Sequence, residues 1–133
     1  MMSHARLIQD WLEGWNTRNL DQLMSHYADD AVFISPSVLV THPGSDGTLR
    51  GKAAIRKRYG LAFERYPKLR FELEEVIERL YGVIVIYRKL GVFAEQPGLT
   101  VEVFETSDGL IRRNVVYWGL EEVASQFSVR VQR

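Results

Sequence analysis

The apolar positions along this chain change their spacing partway, and the change divides it into helical and extended stretches. Leu7, Ile8, Trp11, Leu12 and Trp15 recur at three- and four-residue intervals opposite Gln9, Asp10 and Glu13. That spacing predicts an amphipathic helix, with Ser3 as its N-cap. After a break at Asn16-Thr17-Arg18, Asn19 with Gln22 three residues on has the form of a capping box. It opens a short helix that turns Leu20, Leu23, Met24 and Tyr27 inward. Asp29-Asp30 reads as a helix-to-strand turn, and 31–35 as a strand limited by Pro36. Residues 36–50, with Pro36, Pro43, Gly44 and Asp46-Gly47, read as a long loop or short hairpin. Ile55, Tyr59, Phe63 and Tyr66 mark one face of a third helix, which Pro67 stops.

From Leu69 the period becomes two. Leu69, Phe71 and Leu73 alternate with Arg70, Glu72 and Glu74, and the phase slips at Glu74-Glu75, which predicts a β-bulge before Val76. Tyr81-Gly82, Pro97-Gly98 and Ser107-Asp108-Gly109 are turn signals separating strands over 83–92, 99–106 and 110–118. The tail from Glu121 places Val123, Ala124 and Phe127 in a short helix, followed by Val129 and Val131. Three helices need an apolar surface, and one face of a bent sheet supplies it. The expected fold is α+β: a cone-shaped, curved mixed or antiparallel sheet packed against the helices, in one domain spanning 1–133.

Composition narrows the function. The chain has 133 residues, enough for a core without disulfides or a metal, and it contains no cysteine. Thiol nucleophiles and zinc-thiolate sites are excluded with it. Lys+Arg and Asp+Glu both total 17, so the basic excess of a phosphate-backbone binder is missing and no nucleic-acid partner is expected. Lys52, Arg56, Lys57, Arg58 and Arg65 on the third helix accordingly read as a solvated face. His4, His26 and His42 have no metal-ligand spacing. No phosphate loop, dinucleotide fingerprint or nucleophile elbow occurs, so neither metal nor cofactor is expected. The amino end lacks a signal-peptide pattern, and no apolar run is long enough to span a bilayer. A soluble cytoplasmic protein without a membrane partner is the expectation.

Several local strings carry a resemblance. Asn19-Leu20-Asp21-Gln22-Leu23 leads to Tyr27-Ala28-Asp29-Asp30-Ala31-Val32-Phe33. Gly51-Lys52-Ala53-Ala54-Ile55-Arg56 follows, and Val115-Val116-Tyr117-Trp118-Gly119 precedes an acidic turn. In this order the chain resembles the nuclear transport factor 2-like superfamily (a cystatin-like roll), and in particular its SnoaL-like polyketide cyclases and ketosteroid isomerases. The resemblance implies an apolar cavity inside the cone. It places the isomerases' carboxylate base at Ser35, their tyrosine at Trp11 and their pocket acid at Glu102, so two of three positions depart from the isomerase pattern. Steroid isomerisation by that mechanism is therefore not expected. The same alignment sends Arg112, Asn114, Val116 and Trp118 toward the cavity, and Val115 and Tyr117 to the outer face. It also puts Gly119 where many SnoaL-like proteins carry an acid.

Glu102 lies among Leu99, Val101, Val103 and Phe104. Facing a cavity, it becomes a raised-pKa acid or base; facing the neighbouring hairpin strand, it becomes an ion-pair partner of Arg112 or Arg113. Trp11, Trp15, Phe33, Tyr59, Phe63, Phe104 and Trp118 are the aromatic candidates for the cavity wall. Ser35 and Val116 join them as ligand contacts, with Asn114 as the group that orients a ligand carbonyl or hydroxyl. His42 is a loop-borne acid–base candidate. The expected function is binding of a small, largely apolar, cyclic or carbonyl-bearing molecule, with isomerase, cyclase or dehydratase chemistry by proton transfer. A non-catalytic binding or interaction module on the same scaffold is the alternative. A homodimer is expected through the outer sheet face at Val101, Val103, Val115 and Tyr117, which would otherwise show water a band of apolar side chains.

Overall fold

The computed structural model describes residues 3–92 and 98–118, so the turn at Pro97, the position of Gly119 and the tail from Glu121 lie outside the described residues. The chain runs α1 (Ala5–Thr17), α2 (Leu20–Met24), β1 (Tyr27–Ile34), α3 (Pro36–Thr41), β2 (Thr48–Arg50), α4 (Lys52–Arg65), β3 (Arg70–Arg79), β4 (Gly82–Leu90), β5 (Gly98–Ser107) and β6 (Leu110–Trp118). Among the described residues, six strands form one sheet in the order β2-β1-β6-β5-β4-β3. All neighbours are antiparallel except β1 and β6, which pair in parallel. The sheet is therefore mixed, and the helices cover its inner face.

The helix patterns translate directly into burial. Leu7, Ile8, Trp11 and Trp15 are the buried stripe of α1. The cap is His4 rather than Ser3, although Ser3 Oγ accepts from the Ala5 N–H at 3.2 Å. Gly14 permits the tight α1–α2 turn, since a Cβ there would stand 2.6 Å from the Leu23 backbone. Asn19 caps α2, its side chain accepting from the Gln22 N–H at 3.0 Å, while the Gln22 amide turns away to Glu13. Arg18 donates to the carbonyls of Phe63 (3.1 Å) and Tyr66 (2.9 Å), so a cation closes the C-terminal end of α4, where the helix dipole favours it.

Along β3 the register shifts between Leu73 and Glu75, at the expected bulge. The Ser107-Asp108-Gly109 hairpin forms with Asp108 and Gly109 both at positive φ. Three readings need correction. Asp29-Asp30 is not a turn: both residues are exposed within β1, which begins at Tyr27, so Tyr27 belongs to a strand and not to the second helix. Residues 36–50 are not all loop. Ser35 Oγ accepts from the Ser37 N–H and Pro36 takes the first helical position, together starting α3, while 48–50 add an edge strand. Arg58 does not belong to the solvated face of α4, as its surroundings below show.

The inner face follows from cross-strand pairing. Val85, Glu102 and Val116 are opposite one another on β4, β5 and β6, as are Val83, Phe104 and Asn114, and Tyr87, Thr100 and Trp118. Phe104 is fully buried with Trp11 stacked edge-on against it at 5.3 Å. The alternate positions Val101, Val103, Val115 and Tyr117 share the other face, joined there by Ile84, Ile86 and Ile77.

Candidate functional site

Two residues converge on Glu102 because of strand geometry. Glu102 lies opposite Val85 and Val116; Tyr87 is two residues beyond Val85, and Asn114 two residues before Val116. Both are diagonal neighbours on the same face, within reach of long side chains. Tyr87 Oη donates to Glu102 Oε1 at 2.6 Å, and Asn114 Nδ2 donates to Glu102 Oε2 at 3.0 Å. Behind Asn114, its Oδ1 accepts from Tyr27 Oη at 2.8 Å, and Tyr27 shares a hydroxyl–hydroxyl bond of 2.9 Å with Tyr59. With Tyr27 donating to Asn114, Tyr59 supplies the proton of that last bond. The chain of donors then runs Tyr59, Tyr27, Asn114, Glu102. Turning the Asn114 amide over would set its oxygen against the carboxylate, so the network fixes the direction.

Among the described residues, no arginine pairs with Glu102. Arg112 bonds Asp30 at 3.2 Å and Arg113 bonds Glu105 at 3.4 Å, both on the exposed side. Glu102 is 4 % exposed. Burial raises its pKa, opposed by the hydrogen bonds from Tyr87 and Asn114 and by the attraction of Lys89. Burial and the neighbouring carboxylate push Tyr27 and Tyr87 up, and burial with Tyr27 pushes up Tyr59, so all three remain protonated donors.

Glu102 borders a cavity of about 90 Å³. Of the expected ligand contacts, Trp15, Phe33, Ser35, Tyr59, Val116 and Trp118 line it. Trp11, Phe63 and Phe104 do not. Trp11 and Phe104 are closed core, and Phe63 packs behind Trp15 with ring centroids 5.2 Å apart. Asn114 is fully buried and touches the cavity only through its neighbours, donating to Glu102 and accepting from the lining Tyr59 at 3.3 Å. His42 is exposed at the end of α3, bonded to Thr41 Oγ1 at 2.9 Å, and does not line the cavity. Among the described residues, no cluster of His, Asp and Glu could hold a metal ion.

Four lining residues escaped the sequence reading and change the chemistry: Arg58 and Arg65 from α4, Tyr66 at its end, and Lys89 from β4. Lys89 was legible, because it continues the Val83, Val85, Tyr87 alternation onto the inner face. Its ammonium lies 5.8 Å from the Phe71 ring centre and 5.9 Å from that of Trp118. Burial pushes its pKa down to about 8, against the attraction of Glu102. Arg58 was hidden among the charges of a basic helix, but it lies three residues after Ile55 and four before Ala62, on the buried side. Burial lowers its pKa as well. Thr41 and Arg65 are exposed and mark the rim. A buried carboxylate fed by two donors, beside a cation and aromatic rings, can take a proton from a bound molecule and stabilise the negative charge that forms.

Known proteins agree with this architecture. A SnoaL-like protein of unknown function from Burkholderia thailandensis is 27% identical over 90% of this chain and 99% of its own, with a TM-score of 0.77. A putative polyketide cyclase from Sinorhizobium meliloti superposes with a TM-score of 0.69 at 19% identity, covering 84% of this chain and 93% of its own. TerC, crystallised with polyporic acid, gives 0.73 at 19% identity, covering 90% and 94%. No curated protein matches the chain in sequence. The family model for the SnoaL-like domain matches residues 8–114, most of the chain including Glu102 and Asn114, and the chain is therefore a member of the SnoaL-like domain family.

Proposed function

We propose that this protein binds a small cyclic or carbonyl-bearing molecule in the cavity and moves a proton on it, with Glu102 as the base. The observation that carries this reading is a buried, arginine-free carboxylate at the cavity wall, held as an acceptor by Tyr87 and Asn114. A carbon acid beside a carbonyl would give its C–H proton to Glu102, and the electron pair left behind would form an enolate on the carbonyl oxygen. Returning the proton at another carbon completes an isomerisation. Attack of the enolate carbon on a second carbonyl completes a cyclisation, with Glu102 returning the proton to the new alkoxide. General acid–base help of this kind is worth about 10²–10⁴-fold.

The test needs no knowledge of the natural product. Cyclic 1,3-diketones and aryl ketones are incubated with the protein in deuterated buffer, and exchange at the acidic carbon is followed by NMR. Wild-type protein should accelerate exchange, and Glu102→Gln should lower it at least 100-fold while keeping ligand binding. Binding without exchange in the wild type would refute the base assignment. It would favour the second reading, a non-catalytic ligand-binding or interaction module. That reading has one specific support: the position of the isomerases' base holds Ser35, whose hydroxyl is already engaged with Ser37.

The dimer belongs to the same proposal. Tyr117 is 55 % exposed on the outer face, and Ile77, three strands away on β3, is 40 % exposed on the same face. Val115 is already buried within its own chain, apart from the main core cluster, so Tyr117 is the better probe of association.

A further inference from the structure

The cavity's charges do not match a neutral, apolar ligand. The described lining holds three cationic residues, Arg58, Arg65 and Lys89, against one carboxylate, Glu102. This is a local excess in a chain whose total is balanced at 17 and 17. Neither Arg58 nor Lys89 has an ion pair to a carboxylate among the described residues, where every other salt bridge is on the surface or at a helix end. Arg58 Nε is buried without a hydrogen-bond partner, and so is the indole N–H of Trp15, which lines the same cavity. Arg58 on α4 stands close enough to Lys89 on β4 for its charge to help lower the protonation of the lysine. Two facing cations and two idle donors cost free energy unless something accepts from them.

We propose that the cavity's ligand is an organic acid, an aromatic or cyclic carboxylate or an ionised enol, whose negative oxygens sit between Arg58 and Lys89. This rests on the small-molecule reading above and deepens it. The guanidinium offers a planar fork for a two-oxygen anion, and the ammonium a point charge beside it. Phe71 and Trp118, flanking the ammonium, supply the flat apolar walls for the ring. Glu102, on the next strand, would repel the acid group itself and so orient it toward the cations, leaving a neutral carbon next to the carboxylate oxygens. The same cations would hold the enolate formed when that carbon loses its proton.

Matched pairs test the charge class separately from the chemistry. Benzoate and 2-naphthoate are compared with their methyl esters by calorimetry at pH 7, on wild type, Lys89→Met, Arg58→Met and the charge-keeping Lys89→Arg. The acids should bind at least 10-fold tighter than their esters. Lys89→Met and Arg58→Met should each remove most of that preference with ester binding little changed, and Lys89→Arg should retain it. Esters binding as well as or better than the acids would overturn the acid proposal and leave the small-molecule reading standing. A preference that survives both methionine variants would overturn it too. Binding of neither member of any pair, by a protein that still accelerates carbon-acid exchange, would also overturn the acid class alone. Absence of both binding and exchange would sink the two readings together.

Discussion

Trp11 and Trp15 are one helical turn apart on the same stripe of α1, yet they serve different halves of the molecule. Trp11 is enclosed by Phe71, Tyr87 and Phe104, with ring centroids 5.3 to 5.5 Å away. Trp15 packs on Tyr59 at 4.7 Å and on Phe71 at 4.9 Å, and its remaining surface lines the cavity. One helix therefore builds a closed core at one level and a wall at the next. The aromatic content of the two levels is the same. The difference lies in what the strands bring opposite: Phe104 and Val83 fill the first level, while Glu102 and Lys89 leave room in the second. Aromatic spacing alone does not mark a pocket. Charged residues on the inner face of the strands, here Glu102 and Lys89, do.

Truncation of the two tryptophans should break the equivalence most strongly. Trp11→Ala opens a hole in the closed level and should cost about 3–5 kcal/mol in a denaturant titration. Trp15→Ala enlarges an existing cavity that water can enter, and should cost about half as much. Equal losses would mean that the second level is packed as densely as the first.

A smaller effect lies in the pH dependence of the polar level. Glu102 is faced by Tyr87 on β4, Asn114 on β6 and the Lys89 ammonium, and its pKa is raised. The folded chain thus holds this proton more tightly than the unfolded chain. The resulting stabilisation is fully present below the ordinary value of 4.5 and is lost as pH rises through the folded pKa. Glu102→Gln should therefore gain on the wild type as pH is raised from 4.5, and the gap should narrow on acidification. Lys89, faced by Glu102 and by Arg58 on α4, acts at the other end: its pKa falls from 10.5 to about 8. Between these values the unfolded chain binds more protons, so stability should rise with pH there, and Lys89→Met should flatten that rise. Thermal unfolding from pH 4 to 10.5 measures both, and parallel curves for wild type and variants would refute them.

The smallest effect on the fold, and a sharp one on assembly, is expected on the outer face. Tyr117→Lys should leave monomer stability within about 0.5 kcal/mol, since the side chain is exposed, while shifting sedimentation from dimer to monomer. A wild-type monomer at micromolar concentration would remove the dimer altogether.

Much of this was legible in the chain, and the failures have physical reasons. Alternation at Leu69 and Phe71 and along β4 could be read because a sheet with one buried face enforces a period of two, whereas beyond Phe71 both faces of β3 are exposed, although the bulge at Glu74-Glu75 is there. Glu102 stood out because a carboxylate in an apolar strand breaks that period's chemistry. The start of α3 is not legible because a proline after a strand pattern reads first as a strand breaker, although Ser-Pro is also an N-cap followed by a first-turn proline. Arg58 was missed because a single inward charge on a helix rich in outward ones leaves no periodic trace. Tyr27 and Tyr87 were not singled out as functional, since a buried hydroxyl network depends on residues as far apart as Tyr27 and Asn114.

The parallel pairing of β1 with β6 has a consequence for how the chain is made. Ile34 sits beside Val115 in the sheet, and among the described residues the only other strand paired with β1 is the three-residue β2. As the chain leaves the ribosome, β1 emerges early and cannot find its main partner until nearly all of the described sequence has followed. Contacts of such long sequence separation slow folding, because loop closure precedes any stabilisation by the pairing. Until β6 arrives, the edge of β1 stays open to other chains. Asp29 and Asp30, exposed at the start of that strand, place two negative charges where such an intermolecular pairing would begin.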